Sequence, residues 1–114
     1  MAENTIQRYT DGWRTLKVCN LNCEAVDEGS FLISFVQNNQ VVFEVSGENI
    51  RVVTYDTIQF FVSQEQSAML STFFKAQMFL DWAEGGERKA GKEPLVLTVL
   101  ANYPEREIND ADEP

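Results

Sequence analysis

The 114-residue sequence predicts one all-β domain, an antiparallel sandwich, and three observations carry that expectation. Apolar and polar residues alternate at period two along most of the chain, as they do in strands with one buried face. Turn residues interrupt these runs at short intervals, leaving no room for the helical crossovers that a parallel sheet requires. The one segment that looks helical, "VSQEQSAMLSTFFKAQMFLDW" over residues 62–82, reads better as strand, short helix and strand.

The elements follow in order. "WRTLKVC" sets Leu16 and Val18 on one face, with Arg14 on the same side near the strand's start. "FLISFVQ" places Phe31, Ile33 and Phe35 together, and "QVVFEVS" answers with Val41, Phe43 and Val45. Between them stand Asn38 and Asn39, which tolerate the positive φ of a tight hairpin turn. "IRVVT" then carries Ile50 and Val52, Tyr55-Asp56 make a turn, and "TIQFFVS" aligns Ile58, Phe60 and Val62.

A continuous helix over 62–82 would spread Phe73, Phe74, Met78, Phe79 and Trp82 around its circumference with no clean polar face. Splitting it restores order. Ser63 with Gln66 forms a Ser-x-x-Gln capping box, opening a short helix that tucks Met69 and Leu70 under the sheet. "KAQMFLDW" then points Ala76, Met78, Leu80 and Trp82 inward and Gln77, Phe79 and Asp81 outward. Residues 83–93, "AEGGERKAGKE", read as a long polar hairpin connection, and Pro94 opens a last strand with Leu95, Leu97, Val99 and Ala101 on one face. The count is about seven strands and one short helix over residues 1–104, with an acidic, mobile tail at 105–114. By pattern this is an immunoglobulin-like sandwich, with an open barrel as the rival.

Charge narrows the partners. Eighteen acidic against nine basic residues give a net charge of −9, a field that repels phosphate backbones. Arg88, Lys89 and Lys92 in "ERKAGK" fit a solvated hairpin tip, so no nucleic acid is expected as a partner. No apolar run approaches the roughly 20 residues of a membrane span. "MAENTIQRYT" has no basic-then-apolar leader, so the expectation is cytoplasmic synthesis.

Catalytic signals are missing. Without histidine, no Ser-His or Cys-His nucleophile can form, and no serine precedes a lysine at Ser-x-x-Lys spacing. The expectation is a non-enzymatic protein with no cofactor and no metal. Cys19 and Cys23 are separated by three residues, which fits neither a redox Cys-x-x-Cys nor a zinc site. They read as small buried hydrophobes, and whether they are bonded stays open. Asp81 and Glu84 beside Trp82 form a conceivable sugar-cleaving carboxylate pair, but an inward Trp82 reads as core. "NDADE" at 109–113 lacks the glycine and distant glutamate of a calcium loop.

The outward faces are the oddity. Phe61, Phe79, Val96 and Leu100 all point away from the core if the alternation holds. An antiparallel sheet normally leaves that side polar, so these four are the candidate interface residues. Phe79, Val96 and Leu100 should share one sheet, with Phe61 on the other; the rival reading has the helix or the segment with Ile6 and Tyr9 covering the patch.

With the strands in register, the chain resembles small proteins encoded in the tail modules of bacteriophages and prophages of Gram-positive bacteria. The phrase "NTIQRYT" at 4–10, "ISFVQNNQVVFE" at 33–44, "VSQEQSAML" at 62–70 and "FKAQMFLDW" at 74–82 carry the likeness in that order. The last strand departs, reading "LANYPER" where that group ends in Val-Gly-Arg. The resemblance implies a sandwich module of a tail or baseplate, a protein partner or self-association, a location that can include the virion, and no catalytic residues. The competing class is a small acidic intracellular effector that inhibits a host nucleic-acid-binding protein, for which the net charge and the small size are the sole support. A carbohydrate-binding module would need aromatics in a row, with Trp13 and Tyr103 as its candidates.

Overall fold

A computed structural model describes residues 5–18, 21–91 and 95–100 of the chain. The described part is an all-β immunoglobulin-like sandwich with one short helix. Its elements are β1 (Thr5–Gln7), β2 (Gly12–Lys17), β3 (Leu32–Gln37), β4 (Gln40–Ser46), β5 (Ile50–Thr54), β6 (Thr57–Val62), α1 (Gln64–Met69), β7 (Ala76–Glu84), β8 (Glu87–Ala90) and β9 (Leu95–Leu100). The larger sheet runs β1-β9-β7-β3-β4, with β8 also on β7, and the smaller runs β2-β6-β5. All pairings are antiparallel except β1 with β9.

The core lies between the sheets, where the inward rows meet. Ile33, Phe35, Val45, Met78 and Leu97 of the larger sheet face Leu16, Ile58, Phe60 and Val62 of the smaller, all buried. Phe35 stacks on Phe43 with ring centroids 4.4 Å apart and tilts against Phe60 at 5.9 Å, joining the two layers. Asn38 and Asn39 take φ of 53° and 64°, the expected tight turn between β3 and β4.

Two expectations about the elements are corrected. There are nine strands among the described residues, not seven, because Thr5–Gln7 pairs with β9 and the "ERKA" stretch is a strand. The segment read as a long polar loop is instead a tight hairpin. Gly85 and Gly86 turn at φ of 60° and 84°, and Asp27 accepts both of their N–H groups at 2.9 and 2.7 Å. Positive φ at two successive positions suits glycine, and the carboxylate neutralises two donors that the turn leaves unpaired. β8 and β9 then occupy the same edge of β7, as two halves of one interrupted strand.

Val41 and Met69 are the other departures. A register shift between Phe35 and Val36 sets Val41 opposite Val36, leaving Phe43 and Val45 inward but turning Val41 out. A bulge inserts one residue and so flips everything beyond it. Met69 is exposed while Leu70 is fully buried. Val52, on the free-edged strand β5, is also exposed rather than covered. Pro94, Ala101 and the 105–114 tail lie outside the described residues.

Candidate interaction surface

The predicted capping box is present and shows what α1 is for. The Ser63 hydroxyl accepts from Gln66 N–H at 3.1 Å, and the Gln66 side chain accepts from Ser63 N–H at 3.0 Å. A helix of six residues needs such external support. Ser67, buried on its inner side, donates to the Thr10 carbonyl at 2.7 Å and accepts from Thr10 N–H at 3.0 Å. Arg8 donates to the Ala68 carbonyl at 2.8 Å, and Ile6 is buried in the core. The "NTIQRYT" phrase therefore fastens the helix to the β1–β2 turn. Its role is architectural.

Gln37, the last residue of "ISFVQ", is equally structural. It is buried, donates to the carbonyls of Ser71 and Phe74 at 2.8 and 2.9 Å, and accepts from Ser71 N–H at 2.8 Å. The loop between α1 and β7 is thus pinned from below by one amide. That loop displays Phe73, which is 90% exposed, beside a half-exposed Phe74. Sequence reasoning missed this pair as a surface feature. Two adjacent phenylalanines cannot both face inward between a helix end and a strand start, and that was the available signal.

On the outer face of the larger sheet, the predicted residues fall where the alternation put them. Phe79 is 39% exposed, Val96 51% and Leu100 44%. Val96 lies opposite Gln77, two residues from Phe79 on the same face of β7, so Phe79 and Val96 are diagonal neighbours. Val36 also lies opposite Gln77, on the other side, and Val41 stands beyond it, 58% exposed. The bulge has added a residue to the face. Leu100 sits at the far end of β9, beside Gln7 and beyond Thr98, so it extends the surface toward the Phe73 loop rather than joining Phe79 directly. Ile6 packs into the core and α1 is tied to the β1–β2 turn, so neither covers Phe79 or Val96.

Phe61 belongs to the smaller sheet, directly across from Trp13. The two rings meet edge to face at 5.6 Å and 61°. Arg51 lies 3.9 Å above the Trp13 ring and donates to Gln59 at 2.8 Å; Gln59 in turn donates to Thr15 at 3.1 Å. This face is occupied by its own side chains. Phe61 leaves the candidate interface, and Trp13 is a stacked partner rather than a free sugar platform.

The remaining chemical candidates do not converge. Asp81 and Glu84 are three residues apart on β7, which puts them on opposite faces, and Glu84 lies 3.9 Å from Lys89. Trp82 is partly buried against the core. Cys23 is buried, and burial followed by the nearby Asp56 and Glu24 charges pushes its thiol pKa up, away from reactivity. Cys19 lies outside the described residues. Among the described residues no cluster of three metal-ligating side chains occurs, and no helix is long and apolar enough to cross a membrane.

No family model matches the sequence, and no curated protein matches it. Among solved structures, the chain is similar to the immunoglobulin-like domain of mouse leukocyte-associated immunoglobulin-like receptor 1, crystallised as a strand-swapped dimer. The identity is 12% and the TM-score 0.38, over 86% of this chain and 88% of that one.

Proposed function

We propose that this chain is a non-enzymatic protein–protein contact module, acting as an accessory or structural protein of a phage or prophage tail. The observation that carries the contact reading is the outer face of the larger sheet, where Phe79, Val96 and Leu100 are exposed, with Val41 exposed on β4 two strands from Phe79. A solvated sheet face is normally polar, and an apolar one lowers its free energy when a partner removes it from water. The partner we assign is a tail component, because the "NTIQRYT", "ISFVQ" and "VSQEQSAML" phrases resemble tail-module proteins. Their residues here hold α1 and the α1–β7 loop in place.

The effector alternative draws no support from geometry. Glu105, Glu107, Asp110, Asp112 and Glu113 supply much of the excess negative charge and lie outside the described sandwich. The test is mass spectrometry of particles purified after induction of the carrying prophage. Stoichiometric recovery with tail proteins supports the reading. Clean absence from particles, with the protein abundant in the lysate, overturns the tail assignment.

A further inference from the structure

The smaller sheet ends at β2, whose second long edge meets no described strand. Beside that edge a cleft of about 270 Å³ opens between the two sheets. Thr5 of β1 and Trp13 and Thr15 of β2 line it, and Phe60, Met78 and Leu97 give it an apolar floor. Arg14 lines it as well, on the inward row of β2 directly opposite Phe60.

An arginine in that row is out of keeping with its neighbours. Its guanidinium is held in place: one terminal nitrogen donates to Thr10 Oγ1 at 3.1 Å, and Thr10 is itself fixed to Gln7 and Ser67. Its Nε is buried and meets no acceptor among the described residues. Burial lowers the Arg14 pKa, although a guanidinium keeps its charge at any ordinary pH. A charged group partly withdrawn from water with a donor left over is unfavourable unless an anion supplies the missing partner.

Three features therefore meet at one place: a strand edge that meets no described strand, a slot between the sheets, and a fixed guanidinium whose Nε finds no acceptor among the described residues. Strand addition uses such features, with main-chain bonds giving affinity and alternate side-chain pockets giving specificity. We propose that an extended segment of a partner protein pairs with the free edge of β2 and inserts an acidic side chain into the cleft, its carboxylate on Arg14. A glutamate suits the site, since its carboxylate supplies the acceptor that the guanidinium lacks among the described residues. This site is independent of the Phe79 face, which lies on the other sheet.

The test uses the ¹⁵N-labelled full chain and two synthetic probes, the capped heptapeptide TVTETVT and the same peptide with lysine at the centre. The expected result is saturable movement of the amide signals of residues 12–17 and of the Arg14 Nε–Hε signal with the glutamate peptide, at least tenfold weaker with the lysine peptide. The comparison is made on the unaltered chain, so it does not depend on a variant folding; Arg14→Gln should then remove the preference. No movement, equal affinity for both peptides, or movement confined to other strands overturns the proposal. So does an internal occupant. In that case Glu3→Gln, or amide replacement of the carboxylates at 105–113, shifts the Arg14 Nε–Hε signal in the peptide-free protein, and the peptides have no effect.

Discussion

The two outer faces of this sandwich both display aromatic residues, and they are built on opposite principles. On the smaller sheet Trp13 leans on Phe61, Arg51 lies over Trp13, and Gln59 links Arg51 to Thr15, so each group already has a neighbour. On the larger sheet Phe79 stands opposite Ser34 and Val96 opposite Gln77, and among the described residues no aromatic or cationic side chain packs on the Phe79 ring. An exposed aromatic is therefore not by itself a docking signal. What distinguishes the two faces is whether the cross-strand neighbours already use the ring.

On the proposed reading, that contrast makes the first face a contributor to stability and the second the surface used for association. The largest expected effect lies beneath the second face. Gln37→Leu removes three hydrogen bonds to the α1–β7 loop and should cost about 2 kcal/mol, read from urea unfolding, because the part-buried Ser71 N–H and the Ser71 and Phe74 carbonyls lose their partner. Trp13→Ala strips the smaller sheet of its edge-to-face pair and its cation–π partner at once. A loss of about 1–2 kcal/mol is expected by the same measurement. A neutral Trp13→Ala would dissolve the distinction between the faces.

Phe79→Asp is the counterpart. It should move unfolding by no more than about 1 kcal/mol, since the ring is part-exposed on a strand whose core contacts come from the other face. Its circular dichroism should match the parent while partner binding is lost. The smallest effect concerns the β5–β6 turn. Asp56 accepts from Thr54 and Thr57 hydroxyls, both at 2.9 Å, and these bonds, with Lys17 adding to them, hold its pKa below the usual carboxylate value. A depressed folded pKa contributes stability above the unfolded value and loses it as pH falls through the folded one. Asp56→Asn should therefore flatten the acid limb of the stability–pH curve below about pH 4 and change little at neutral pH.

How legible all this was depends on the range of the physics involved. Alternation is a property of neighbouring residues, so the inward rows of β3, β6 and β9 and the outward direction of Phe79, Val96 and Leu100 could be read directly. The capping box is equally local. Val41 could not be read, because its direction depends on a bulge that only the pairing with β3 reveals. The β7–β8 hairpin was hidden for a similar reason: Asp27, far away in sequence, supplies the acceptor for its glycine turn. Arg14 was placed on the right face, but nothing local showed that β2 would meet no described strand on that side.

The most direct test of the account is site-specific photocrosslinking in the producing cell, with p-benzoylphenylalanine in place of Phe79 in one strain and of Phe61 in another. The account predicts one discrete adduct with a tail protein from position 79 and none from position 61. No adduct from 79, or matching adducts from both positions, would contradict it.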